Sequence, residues 1–201
     1  MMTYSNEKII CVIPARGGSK RLARKNLQLF KGKTLIKNAI NAAKKSKYID
    51  LIVFTSEDKE MLEEATTSGV FIHYRNENLS KDNVELLYVI KDAVKGFNEY
   101  NVVVILQIDN VLSITPEKID ECIKKHLDDV YEPQDTITVD LENMTRTGSI
   151  RVISRKCLFW NIPTARINLV PDYKYHIDVH YKEDLDKANN FRRNKWKEPI
   201  T

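Results

Sequence analysis

Five consecutive apolar residues, Ile9-Ile10-Cys11-Val12-Ile13, run straight into Pro14-Ala15-Arg16-Gly17-Gly18-Ser19-Lys20. A short apolar run that ends at Pro and Gly reads as a strand buried on both faces. The Gly-Gly turn leaving such a strand can bring bare backbone N–H groups close to a ligand. Arg16, Lys20, Arg21, Arg24 and Lys25 place five cations within the ten residues 16–25. Amide donors combined with dense positive charge suit a polyphosphate. The segment is not a G-x4-G-K-[ST] loop, because Gly17-Gly18-Ser19-Lys20 has the wrong spacing, and the adjacent pair Gly17-Gly18 alone does not fit G-x-G-x-x-G.

The chain beyond this loop alternates in kind. Leu35, Ile36, Ile40, Ala42 and Ala43 recur at helical spacing, and helices are predicted over 59–67, 84–97 and 116–127, the last with Pro116 in its first turn. Strands are predicted over 51–54, 69–72 and 102–106. Apolar strands separated by amphipathic helices mean βαβ units, hence a three-layer, Rossmann-like α/β fold with a mainly parallel sheet. Ligands of such sheets sit at the carboxyl ends of the strands, where the glycine loop falls. After Leu127 the pattern loosens: strands are expected over 136–139, 149–153 and 175–179, the stretch 158–170 is ambiguous, and a helix over 183–191 closes the chain. No repeat, low-complexity tract or linker interrupts it, so one domain is expected over residues 1–201.

With 32 basic and 28 acidic residues the net charge is only +4, which argues for a small anionic ligand and against a broad nucleic-acid-binding face. No apolar run approaches the roughly 18 residues of a membrane span. Cys11, Cys122 and Cys157 stand far apart, without disulfide or zinc spacing, which suits a reducing cytoplasm.

The loop, Ile13-Pro14-Ala15-Arg16-Gly17-Gly18-Ser19-Lys20 and then Lys25-Asn26, resembles the signature of the acylneuraminate cytidylyltransferases, the makers of CMP-sialic acids and their bacterial relatives. Further segments follow in the family's order. Gly32-Lys33-Thr34-Leu35-Ile36 resembles G-K-P-L-I, and Phe54-Thr55-Ser56-Glu57 stands where the family has V-S-T-D. Arg75 with Asn78-Leu79-Ser80 and Asp82 resembles R-P-x-x-L-A-x-D; Leu106-Gln107 opens the counterpart of L-Q-P-T-S-P-L-R. Thr147-Gly148-Ser149-Ile150 resembles N-G-A-I, and Ile177-Asp178-Val179 with Glu183-Asp184-Leu185 and Ala188 resembles I-D-I-D-T-x-x-D-L-x-x-A.

The resemblance implies a nucleotidyltransferase fold and a CTP-dependent transfer of CMP to an acidic, sialic-acid-like sugar, with Mg²⁺ or Mn²⁺ as cofactor and a homodimer as assembly. It implies that Arg16, Lys20 and Lys25 hold the triphosphate, and that the loop backbone over Ala15, Gly17, Gly18 and Ser19 cradles it. Asn26 would contact the ribose, and Arg75, with the backbone near Asp82 and Val84, would read the cytosine. Gln107 and Asp109 would face the acceptor, and Asp178 would bind the metal.

Three departures stand out. Residues 108–113, Ile-Asp-Asn-Val-Leu-Ser, replace P-T-S-P-L-R and carry no arginine. The insertion around 128–148, which in the family completes the sugar pocket and the dimer, is short. His180 stands where a second metal-binding Asp is expected. If a strand continued through this point, His176, Asp178 and His180 would share a face and form a site for Mn²⁺ or Zn²⁺; alternatively His180 begins a loop. The departures motivate two other readings: a catalytically impaired CTP-binding relative acting as sensor or partner, or a nucleotidyltransferase for a different small acidic acceptor. Elsewhere Cys11 is expected in the core, His73 facing outward, Lys44-Lys45-x-Lys47 at a solvated helix end, Trp160 and Trp196 packed, and the Arg192-Arg193-x-Lys195 end solvated.

Overall fold

The computed structural model describes residues 7–129, 134–160 and 166–191. A seven-stranded sheet forms its middle layer. In chain order its strands are β1 (Ile9–Pro14), β4 (Leu51–Ser56), β5 (Phe71–Tyr74), β6 (Val102–Leu106), β7 (Gln134–Asp140), β8 (Thr145–Ser154) and β9 (Arg166–Pro171). A small antiparallel hairpin, β2 (Leu29–Phe30) with β3 (Lys33–Thr34), stands apart. The spatial order is β5-β4-β1-β6-β8-β7-β9, and only β8 runs against its neighbours. The fold is three-layer, Rossmann-like α/β with a mainly parallel sheet.

Alternation along β1 builds both faces of the core. Ile9, Cys11 and Ile13 pack with α1 (Leu35–Lys44), α2 (Lys59–Thr66) and α4 (Pro116–Leu127), while Ile10 and Val12 pack with α3 (Leu86–Val94) and α5 (Arg155–Trp160). A third cluster joins Phe30, Leu35 and Leu112 to Val179 and to Leu185 of α6 (Lys182–Asn190). Among the described residues no helix is long and apolar enough to cross a membrane.

Caps fix the helix starts. Thr34 accepts from Lys37 N at 3.1 Å, Asp58 from Met61 N at 3.1 Å, and Thr115 from Lys118 N at 3.2 Å with Pro116 behind it. Each side-chain oxygen satisfies one of the amides that the first turn leaves unpaired.

Several expectations need correction. The third strand begins at Phe71, not at residue 69, because Gly69 sits at φ +61° and turns the chain out of α2. Residues 175–179 form no strand; one isolated bridge, Asn110 to Asp178, is their only ladder contact among the described residues. The ambiguous 158–170 stretch is helical up to Trp160 and a strand from Arg166, and 161–165 lie outside the described residues. Trp160 is 64% exposed rather than packed. His73 is turned toward the protein, 2.9 Å from Thr55 Oγ1 and 3.5 Å from Asp92. Trp196 and the 192–195 basic end lie outside the described residues.

Candidate active site

The strand order reverses at β1. The chain leaves β1 for β4 and β5 on one side, then returns to β6 on the other, which opens a crevice above the carboxyl ends of β1 and β6. The glycine loop follows β1 and the Gln107-Ile108-Asp109 turn follows β6, so topology alone brings these two segments face to face.

The loop is tied down more firmly than its glycines suggest. Gly17 N donates to Glu57 Oε1 at 2.7 Å, and Ser19 N donates to Gly17 O at 2.9 Å. These amides are therefore not bare, because a carboxylate at the end of β4 has already claimed the first. A Cβ on Gly17 would lie 2.6 Å from Asp58 Oδ2, so the residue is held to glycine by that close approach. Arg24 clamps the same Asp58 from above at 2.6 and 3.2 Å and also pairs with Glu60. Asn26, buried, donates from Nδ2 to Arg16 O at 3.1 Å.

A cleft of about 620 Å³ lies beneath the loop. Ala15, Arg16, Ser19, Lys20, Lys25, Asn26, Arg75, Asp82, Val84, Gln107, Asp109 and His180 all line it. Of the residues singled out in the sequence, Gly17, Gly18 and Asp178 are not among its lining, and Gly18 and Asp178 face solvent. A second cavity of similar volume opens at the opposite end of the sheet, around Arg155, Phe159 and Trp160, far from these residues.

One wall is electrostatic. Asp82 receives Arg16 Nη1 at 2.5 Å on one oxygen and Lys20 Nζ at 2.7 Å on the other. Lys20 and Arg16 together hold its carboxyl below the usual carboxylate range. Behind it Arg75, only 4% exposed, donates to Ala15 O at 2.7 Å and pairs with Glu57. Ser80 Oγ adds a 2.8 Å bond to the same Glu57 oxygen. Burial pushes the Glu57 carboxyl up, but the bonds from Arg75, Gly17 and Ser80 outweigh it and leave it below its ordinary value. Glu57 is thus the hub joining the loop to the 75–82 wall. Its place in the V-S-T-D-like segment was visible in the sequence, but nothing there showed its partners, which lie 18 to 40 residues away along the chain.

The other end of the cleft gathers carboxylates. Lys25 Nζ meets Asp109 Oδ2 at 2.8 Å, and Val179 N donates to Asp109 O at 3.0 Å, which brings Asp178 alongside. Burial first, then the Asp109 charge, push the Asp178 carboxyl above its ordinary value; His180, Lys25 and Arg21 oppose this in part. His180 Nε2 lies 3.0 Å from Asp178 Oδ2, and Arg21 Nη2 lies 3.0 Å from His180 Nδ1. An arginine can only donate, so Nδ1 accepts and Nε2 carries the proton shared with Asp178. Both ring nitrogens are engaged. The loop reading of His180 holds: its N–H and that of Tyr181 cap α6 through Asp184 Oδ2 at 3.0 and 2.9 Å. His176 turns away to within 4.0 Å of Asp140, so the three-residue Mn²⁺ or Zn²⁺ face does not assemble. Among the described residues no group of three or more His, Cys, Asp or Glu side chains is arranged to hold a metal. Gln107 is fixed by its N–H on Ser149 O at 3.0 Å, and its side chain fills the space beside Gly148, at φ +67°, where any Cβ would lie 2.7 Å from Nε2.

The chain is 40% identical over 95 residues to a pseudaminic acid cytidylyltransferase from Campylobacter jejuni, which is 47% of this chain and 41% of that enzyme. It is 34% identical over 110 residues to a CMP-N,N'-diacetyllegionaminic acid synthase from Legionella pneumophila, covering 54% of this chain and 46% of the other. The matched segment thus spans less than half the length of these relatives. The structure of a cytidylyltransferase from Leptospira borgpetersenii superposes with a TM-score of 0.74 at 20% identity, over 91% of this chain and 85% of that one, a likeness of fold. A match to the family described as cytidylyltransferase runs from residue 10 to 187, nearly end to end. The chain belongs to the cytidylyltransferase family.

Proposed function

We propose that the protein transfers CMP from CTP to an acidic sugar of the nonulosonic class, releasing pyrophosphate. The observation that carries this reading is the meeting, in one cleft at the strand reversal, of the Arg16, Lys20 and Lys25 cations with the Asp109 carboxylate, whose charge is felt by Asp178 at the cleft's edge. The identity to a pseudaminic acid and to a legionaminic acid enzyme supports the acceptor class.

In the reaction, a hydroxyl oxygen of the sugar attacks the α-phosphorus of CTP. The new P–O bond forms as the bond to the β-phosphate oxygen breaks; pyrophosphate leaves with that electron pair, and the hydroxyl proton passes to solvent. The chain's part is to position the groups and neutralise charge. Arg16 and Lys20 take the phosphates in place of Asp82, and Lys25 stands between the phosphates and Asp109. Ala15, Gly17, Gly18 and Ser19 shape the loop. Asn26 braces it through Arg16 O, which accounts for its burial better than a ribose contact does. Arg75 and Val84 bound the base pocket, with Arg75 also pinning the loop through Ala15 O. Gln107 faces the acceptor.

Two neighbouring carboxylates whose charges oppose one another form an oxygen donor set suited to a hard divalent cation. Asp109 and Asp178 would hold Mg²⁺ or Mn²⁺, which when bound supplies positive charge beside the phosphates. On this reading the second carboxylate comes from the β6 turn and not from position 180, and His180 orients Asp178. That supply of a second carboxylate disfavours a mere CTP sensor, the reading His180 had motivated. We place the enzyme, whose buried Cys11, Cys122 and Cys157 stand far apart along the chain, in the cytoplasm and expect a homodimer built without a long insertion.

The test is pyrophosphate release from CTP with Mg²⁺ or Mn²⁺ and a panel of pseudaminic, legionaminic and sialic acids. Release with at least one acid is expected. Silence with all of them, while CTP still binds, would turn the case over to the sensor reading.

A further inference from the structure

Arg21 is one of the five loop cations, yet the transfer as described gives it nothing to do. Its guanidinium lines the cleft, 3.0 Å from His180 Nδ1 and 5.7 Å from the Tyr181 ring centroid. The neighbouring loop cations in the cleft are matched by carboxylates, Arg16 and Lys20 by Asp82, and Lys25 by Asp109. Arg21 makes no ion pair with a carboxylate among the described residues. Its hydrogen bond goes to a nitrogen that must offer a lone pair, so the imidazole it touches leaves its charge unneutralised. Leu22, next in the chain, packs in the cluster that holds Ile177 and Val179, which fixes the backbone of Arg21 against the segment bearing Asp178 and His180. Lys81 is the other cleft-lining cation without an ion pair among the described residues, but it stands on the opposite wall beside Asp82.

We propose that Arg21 reads the carboxylate of the acceptor sugar; the proposal rests on the CMP-transfer reading. In a 2-keto sugar acid the attacking hydroxyl and the carboxylate share one carbon. Wherever that hydroxyl is brought to the α-phosphorus, the carboxylate comes with it. The Asp109 and Asp178 pair marks the reacting end of the cleft, and one imidazole separates Asp178 from Arg21. An acidic acceptor entering there meets two carboxylates of like charge, and Lys25 is already spent on Asp109. A further cation is required for the acid to bind, and the Arg21 guanidinium is the one in place. With Nη2 on His180 it keeps a free edge whose N–H pair matches a carboxylate two to two. His180 and Tyr181 act as positioning residues that hold this fork in plane. The arginine missing from residues 108–113 is thereby replaced from the nucleotide loop itself.

The experiment compares wild type, Arg21→Gln and Arg21→Lys in steady-state pyrophosphate release, each with an accepted sugar acid and with the primary amide of that acid. Arg21→Gln should raise the acceptor KM by roughly ten- to a hundredfold, the loss of a charge-assisted hydrogen-bonded pair, and leave the KM for CTP within about twofold. Wild type should prefer the acid to its amide, Arg21→Gln should lose that preference, and Arg21→Lys should recover part of it, because an ammonium supplies charge without the fork. An equal rise in the CTP KM would assign Arg21 to the triphosphate and overturn the proposal, as would an acid preference that survives in Arg21→Gln. Calorimetry of the acid on protein holding α,β-methylene CTP separates the two levels. Arg21-dependent binding without turnover would sink only the transfer reading, whereas equal binding by wild type and Arg21→Gln, or none by either, sinks the role of Arg21.

Discussion

Arg16 and Lys20 both spend their charge on the one carboxylate of Asp82, across the mouth of the cleft. A triphosphate approaching these cations competes with that carboxylate for the same N–H donors. Because all three side chains are exposed, the pairs are cheap to break, and on the proposed reading Asp82 holds the cations in place until CTP displaces it. Asp82→Asn should therefore tighten CTP binding by about two- to tenfold in a calorimetric titration without acceptor. Weaker binding would instead mean that Asp82 itself touches the nucleotide. At this scale the sequence showed the residue types but not their pairing. Arg16, Lys20 and Asp82 were all readable as site residues, but nothing in a linear spacing of 62 to 66 residues shows that the acid faces the bases. Asn26, read as a ribose contact, lines the cleft and also bonds its own loop through Arg16 O, a bond no linear spacing shows.

The segment joining β4 to α2 decides how stiff the site is. Ser56, Glu57 and Asp58 follow one another there, Glu57 holding Gly17, Arg75 and Ser80 while Asp58 caps α2 and takes Arg24. Glu57→Gln would leave the buried Arg75 guanidinium without its counter-charge and cost about 2 to 4 kcal/mol of stability at neutral pH. The Glu57 carboxyl is depressed in the folded state, so its contribution is full above the ordinary glutamate value of about 4.3 and fades as pH falls through the lower folded value. Denaturation midpoints of wild type and Glu57→Gln should accordingly differ at pH 7 and converge below about pH 4; a gap that stays constant with pH would show that ionisation of Glu57 is not what holds the loop. Elements with strong punctuation were legible. Residues 116–127 are helical as expected, because Thr115 caps and Pro116 starts the turn. Residues 175–179 misled, because alternating Ile177 and Val179 suggest a strand while their side chains serve the small cluster over α6, away from the sheet ladder.

At the scale of the molecule, function follows from strand order. Apolar runs and helical periodicity announce a parallel sheet, but they do not say that β8 slots in antiparallel between β6 and β7 and brings Gly148 against Gln107. Nor do they say that the β6 turn carries Asp109 to Asp178, a contact made by two segments about 70 residues apart. The free protein thus holds opposed carboxylates at one end of the cleft and cation–carboxylate pairs at its mouth, and on the proposed reading CTP and its metal relieve both. CTP with Mg²⁺ at a hundred times its Kd should stabilise the fold by about 2.7 kcal/mol, which for a chain of this size raises Tm by about 5–10 °C. Removing the divalent ion with a chelator should forfeit part of that rise but not all, since on the proposed reading Arg16 and Lys20 hold the phosphates without it. Asp178→Asn should abolish the metal-dependent part alone. In the absence of ligands it should melt no lower than wild type, because it removes one of two opposed charges at a site shaped for binding and not for stability. Melting curves of both proteins with CTP, with CTP and Mg²⁺, and with neither decide the matter: a metal increment that persists in Asp178→Asn would place the ion elsewhere than between Asp109 and Asp178.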